Sequence, residues 1–157
     1  MVEQLNAAPE ARGMTDTKAG QLRMELELSP KSIHHAKRIA MESVRLWGTD
    51  ELSADVGLTV AELLTNVLQH ALPADGREMK VATCLVQRVP GGIAAVVHDD
   101  DPTLPVLRAS DHESLGGRGL QLISALATHF SVAPSFPGKD VTALFLLGRE
   151  TASSAAA

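Results

Sequence analysis

The chain has 157 residues, a formal net charge of −5, 45% hydrophobic and 21% charged residues. That length suits one domain with a sizeable core, and the composition is ordinary for a globular protein. The acidic balance argues against a binder of phosphate backbones, and 3% aromatic residues with no Tyr argue against base stacking on single-stranded nucleic acid. The single cysteine, Cys84, excludes an internal disulfide and suits a reducing compartment. Its neighbours Val81, Ala82, Leu85 and Val86 mark it as a buried core thiol rather than a nucleophile. No run approaches the roughly eighteen apolar residues of a membrane span and no signal-peptide pattern opens the chain, so it reads as cytoplasmic with no membrane contact.

In chain order, residues 1–20 mix Ala, Gly, Pro, Thr and charge without an apolar period and read as a disordered extension. Leu22, Met24, Leu26 and Leu28 then alternate with Arg23, Glu25 and Glu27, the pattern of a strand with one buried face. Ser29 and Pro30 supply an N-cap and a first-turn proline. The helix they open turns Ile33, Ala36, Ala40, Val44 and Trp47 to a core and stops at Gly48. His34 and His35 fall on its exposed side without metal-ligand spacing.

A long helix follows, from near Asp50 to before Pro73. At about 100° per residue, Val56, Val60, Leu63, Leu64, Val67, Leu68 and Ala71 share one side. Asp55, Thr59, Glu62, Asn66 and His70 converge on the other within an arc of roughly 80°. A solvated face would normally carry Lys, Arg and Glu; this one has no cation and sets a carboxylate one turn before a carboxamide.

Ala74-Asp75-Gly76 makes a turn, residues 80–89 read as a strand, Pro90-Gly91-Gly92 as a hairpin signal and Ile93 to Val97 as a second strand running into His98 and Asp99-Asp100-Asp101-Pro102. Residues 102–116, with Asp111, His112 and Glu113 among them, show no clear period and form a loop of a length that is usually functional. Gly116-Gly117-Arg118-Gly119 then opens a helix with Leu120, Ile123, Leu126 or Ala127, and Phe130 on its apolar side. A short strand near Ser131 to Ala133, a turn at Pro134, Pro137 and Gly138, and a strand from Val141 to Leu147 complete the ordered part, and residues 149–157 read as a disordered tail. One domain over residues 21–148 is therefore expected, an α/β (α+β) two-layer sandwich with helices on one face of a mixed, mostly antiparallel sheet.

Three pieces carry chemistry. Glu62 and Asn66, four apart, share a helical face. An amide oxygen there could ligate Mg²⁺, a hard cation shared with nucleotide phosphates, and the carboxylate could take a proton from an attacking hydroxyl. Asp99, at the end of a strand, could accept a hydrogen bond from an exocyclic amine. Gly117-Arg118-Gly119-Leu120 opens a helix whose N-terminus favours anions. His70, His98 and His112 read as capping, exposed or loop residues.

In that order, Glu-x-x-x-Asn on a helix, a strand ending in Asp, a loop and Gly-x-Gly-Leu opening a helix resemble the GHKL ATPase superfamily, the Bergerat-fold nucleotide-binding domains. The small size and the wording around Glu62–Ala71 look most like the anti-sigma-factor serine/threonine kinases, single-domain bacterial regulators of partner switching. The resemblance covers about Leu22 to Leu147. It implies ATP and Mg²⁺ as ligands, Asp99 on the adenine amine, Asn66 on Mg²⁺, and Gly117, Arg118, Gly119 and Leu120 along the phosphates. Glu62 would be the catalytic base. The implied partners are an anti-anti-sigma-type protein or a sigma factor, with a homodimer as the suggested assembly.

The sequence departs from that family at the first glycine box, where Asp99 is followed by Asp100, Asp101 and Pro102 instead of x-Gly-x-Gly, and in a loop that is short for an ATP lid. A non-catalytic nucleotide-sensing module is therefore the alternative expectation. The catalytic module of a two-component histidine kinase is a weaker third, because no helix pair bears a phospho-acceptor histidine.

Overall fold

The computed structural model describes residues 13–71, 79–103 and 115–148. Six strands and three helices follow in the order β1 (Gly13–Lys18), β2 (Gln21–Glu27), α1 (Pro30–Leu46), α2 (Asp50–His70), β3 (Val81–Val89), β4 (Gly92–Asp99), α3 (Leu115–Leu126), β5 (His129–Pro134) and β6 (Lys139–Leu146). They build one sheet in the order β1-β2-β3-β4-β6-β5. Every pairing among the described residues is antiparallel, in keeping with the mostly antiparallel sheet that was expected.

The alternation of apolar residues decides which face is covered. Leu22 and Met24 of β2, Ala82, Cys84 and Val86 of β3, Ile93, Ala95 and Val97 of β4, and Val141, Ala143 and Phe145 of β6 are all buried. They pack beneath Ile33, Ala36, Ala40 and Val44 of α1, Val56, Val60, Leu63, Leu64 and Val67 of α2, and Leu120 and Ile123 of α3. Burying each of the larger side chains stabilises the fold by about 1.5–3 kcal/mol. Cys84 is wholly buried, as expected of a core thiol, and burial pushes the thiol up to about 12.

Local chemistry sets the helix ends. The Ser29 hydroxyl accepts from the Ser32 backbone N–H at 3.0 Å while the Ser29 N–H donates to the Ser32 hydroxyl at 3.0 Å, a reciprocal capping box completed by Pro30 at the first turn. After α1 the chain reverses at Gly48, and the Thr49 hydroxyl donates to the Val44 carbonyl at 2.8 Å. At the far end of α2, Lys80 Nζ donates to the Leu68 carbonyl at 2.6 Å, holding a free helix carbonyl with a cation.

Residues 13–18 correct the expectation of a disordered stretch through residue 20: they form β1, paired with β2 from Gly13 opposite Leu26 to Lys18 opposite Gln21. Residues 1–12, the turn at 74–76, most of the expected lid loop and the tail from 149 lie outside the described residues. Among the described residues, no helix is long and apolar enough to cross a membrane.

Candidate functional site

Helix α2 packs against both β4 and α3, and its polar side meets α3. Glu62 and Asn66 are half-buried there, Asp55 is half-buried, Thr59 is wholly buried and His70 is exposed. The Thr59 hydroxyl oxygen is fully enclosed without a hydrogen-bond partner among the described residues. His70, read as a helix-end residue, does lie in the last turn of α2.

The α3 helix meets this face at Gly119. A Cβ placed at Gly119 would stand 2.8 Å from Glu62 Oε2 and 3.6 Å from Asn66 Oδ1. The backbone of α3 therefore lies directly over the carboxylate and the carboxamide, with no side chain between them. The helix begins at Leu115, so Gly117, Arg118, Gly119 and Leu120 occupy its first two turns rather than a loop ahead of it. Leu120 is 6% exposed and belongs to the core. The side chain of Arg118 lies outside the described residues, as does His112.

Changing Gly119 to Ala should separate stability from function. The atom it crowds is the mobile end of the Glu62 side chain, and a helical Gly→Ala change gains about 0.5–1 kcal/mol. The variant should melt at or above wild type. Displacing the Glu62 carboxylate by such a contact should lower any activity that depends on it by on the order of a hundredfold. A thermal melt beside an activity assay reads both.

At the end of β4, Asp99 is 3% exposed and lies directly opposite Lys139 of β6, itself 8% exposed. Lys139 Nζ donates to Asp99 Oδ1 at 3.1 Å and to the Asp101 carbonyl at 2.7 Å, and the Asp101 N–H donates to the same Asp99 oxygen at 2.9 Å. The Thr103 N–H donates to Asp101 Oδ1 at 2.9 Å, extending the turn. Gly138 has φ +99° and presses on this turn so closely that a Cβ would run into the Asp99 carbonyl oxygen. The turn that replaces the glycine box is thus held by an ion pair and the Gly138 backbone. Sequence reading missed Lys139, although its parity with Val141, Ala143 and Phe145 marked it as facing the core.

His98 points to the other face of the sheet, where its Nδ1 lies 2.7 Å from Asp140 Oδ1 and its Nε2 lies 3.2 Å from Asp100 Oδ1. It was expected to be an exposed or loop residue; instead it is half-buried in β4 between two carboxylates. Burial lowers its pKa, but the bonds to Asp140 and Asp100 outweigh that and hold it above the ordinary 6.5. A histidine with a raised folded pKa contributes stability that is complete below 6.5 and is lost as pH rises through the folded value. The melting-temperature advantage of wild type over His98→Gln should therefore be larger at about pH 5.5 than at about pH 8.5.

The fold and this geometry together define a two-layer α/β domain in which the helix bearing Glu62 and Asn66 packs against both the strand that ends in Asp99 and the glycine-bearing helix. A family model described as the histidine kinase-like ATPase domain matches residues 26–145. The chain belongs to that family, and so to the GHKL-type ATPases, and is an ATP-binding domain of that kind. No curated protein sequence matches it. Among solved structures, the histidine kinase domain of the blue-light activated histidine kinase from Erythrobacter litoralis EL346 is similar at 22% identity and a TM-score of 0.48. That match covers 84% of this chain and 65% of the other, so the chain spans less than two thirds of that domain.

Proposed function

We propose that this protein binds Mg-ATP and passes its γ-phosphoryl group to a serine or threonine of a partner protein, as the anti-sigma-factor serine/threonine kinases do. The observation that carries the reading is the seating of the Gly119 backbone on Glu62 and Asn66, which joins the helix-borne acid and amide to the glycine-bearing helix. A nucleotide fits the donor set: Asp99 Oδ2 has no hydrogen bond among the described residues and can take an exocyclic amine. The Asn66 amide oxygen can ligate Mg²⁺. Among the described residues no group of three or more His, Cys, Asp or Glu could hold a metal ion by itself, so phosphate oxygens and water would have to supply the remaining ligands.

ATP supplies the transferable phosphoryl group, and the protein's part is to position and to move one proton. The Glu62 carboxylate takes the proton of the attacking hydroxyl as its oxygen bonds to phosphorus and the bond to the ADP oxygen breaks. Gly117 lies in the first turn of α3, where the free N–H groups of a helix N-terminus favour phosphates, and the resemblance assigns Arg118, Gly119 and Leu120 to the same role. The partner in this reading is an anti-anti-sigma-type protein or a sigma factor, with a homodimer as the working assembly.

The ion pair between Asp99 and Lys139 favours a second reading, a nucleotide-sensing module that captures a partner without phosphorylating it, since the glycines that usually follow such an Asp are replaced by a salt-bridged turn. Radiolabelled Mg-ATP offered with candidate partners separates the two. Label on a partner hydroxyl supports the kinase; saturable nucleotide binding with no label on any co-purified partner supports the sensor.

A further inference from the structure

We propose that Lys139 is a specificity-determining residue of the nucleotide site, reading the base together with Asp99. The inference rests on the nucleotide reading above and goes beyond it by assigning a second base contact. An ammonium group has three N–H donors. Two are spent, on Asp99 Oδ1 at 3.1 Å and on the Asp101 carbonyl at 2.7 Å, and the third has no partner among the described residues. Both bonds to the Asp99 carboxylate, from Lys139 Nζ and from the Asp101 N–H, fall on Oδ1, so Oδ2 is also unspent.

An unused donor and an unused acceptor thus belong to the two partners of one ion pair, on side chains that are 10% and 3% exposed. Among the described residues the one enclosed side-chain N or O without a hydrogen-bond partner is Thr59 Oγ1, so Asp99 Oδ2 is not sealed off and a ligand can reach it. The complement of an acceptor next to a donor is a base edge carrying a donor next to an acceptor, as the N6 amine and N1 of adenine do. Asp99 Oδ2 accepts from the amine and Lys139 Nζ donates to the ring nitrogen.

The rest of the turn serves this pair. The Asp101 carbonyl holds the ammonium from one side, and Gly138 lets β6 approach the Asp99 backbone so that Lys139 sits opposite Asp99 in register. An aliphatic residue at 139 would leave the amine contact and remove the ring contact.

The test is competition binding with ATP, 1-deaza-ATP, which lacks the ring acceptor, and purine riboside triphosphate, which lacks the amine. Wild type should prefer ATP over each analogue by about tenfold, the worth of one hydrogen bond. Lys139→Met should bind ATP and 1-deaza-ATP alike while keeping its preference over purine riboside triphosphate. Equal binding of ATP and 1-deaza-ATP by wild type, or an undiminished preference in Lys139→Met, overturns the proposal. If folded wild type binds none of the three, the nucleotide reading itself fails, which is a different result. Should Lys139→Met not fold, Lys139→Arg replaces it. Its planar guanidinium keeps the charge but not the three-way ammonium geometry, so a reduced preference over 1-deaza-ATP supports the assignment and an unchanged one overturns it.

Discussion

Asp99→Asn should destabilise the folded protein by about 3–5 kcal/mol, the usual result of stripping one partner from a buried ion pair. The side chain of Lys139 is 10% exposed and that of Asp99 is 3% exposed, so the orphaned ammonium has little water to turn to. An asparagine oxygen could still accept the bonds from Lys139 and from the Asp101 N–H, but it carries no charge to balance the cation. Combining Asp99→Asn with Lys139→Met should restore much of the loss, because removing both partners costs less than stranding one. Urea unfolding of the single and double variants measures this, and additive losses would contradict the ion-pair reading. A practical consequence follows for the nucleotide site: weak binding by Asp99→Asn is informative only when compared at matched folded fractions.

Glu62→Gln should have the opposite profile. Glu62 is half-buried and takes part in no hydrogen bond or ion pair among the described residues, so its exchange for an isosteric amide should shift stability by no more than about 0.5 kcal/mol. Phosphoryl transfer to a partner hydroxyl should fall by about 10²–10⁴-fold, the range supplied by a positioned general base. Nucleotide affinity should change little, since Glu62 acts on the incoming hydroxyl rather than on the nucleotide. Undiminished transfer by the folded variant would remove Glu62 from the mechanism.

The contrast between these two acids shows which parts of the molecule could be read from the chain alone. The elements were legible where apolar period and capping chemistry coincide. Ser29 and Pro30 announced α1, the alternation of Leu22, Met24 and Leu26 announced β2, and Pro90-Gly91-Gly92 announced the turn between β3 and β4. β1 was not legible, because the residues GMTDTK carry no apolar alternation; an edge strand is defined by the neighbour it pairs with rather than by burial on one face.

The helix-borne half of the site was legible as the i, i+4 pair Glu62 and Asn66, and the nearness of Gly119 to them was implied only by the family resemblance. Lys139 and His98 show what single-chain periodicity leaves out. Lys139 meets Asp99 across 40 residues, and His98 meets Asp140 across 42, through the register of β4 against β6. Nothing in either strand alone fixes that register; it follows from the whole antiparallel sheet closing over one core.

The proposed Mg-ATP site draws on α2, the end of β4 and the start of α3. Calorimetric titration of the folded wild-type protein with ATP tests it most directly, run with Mg²⁺ and again after the metal is removed by a chelator. One saturable site per chain, weakened when Mg²⁺ is withdrawn, is the predicted result. A protein that remains folded and takes up no ATP at millimolar concentration, with or without Mg²⁺, would contradict it.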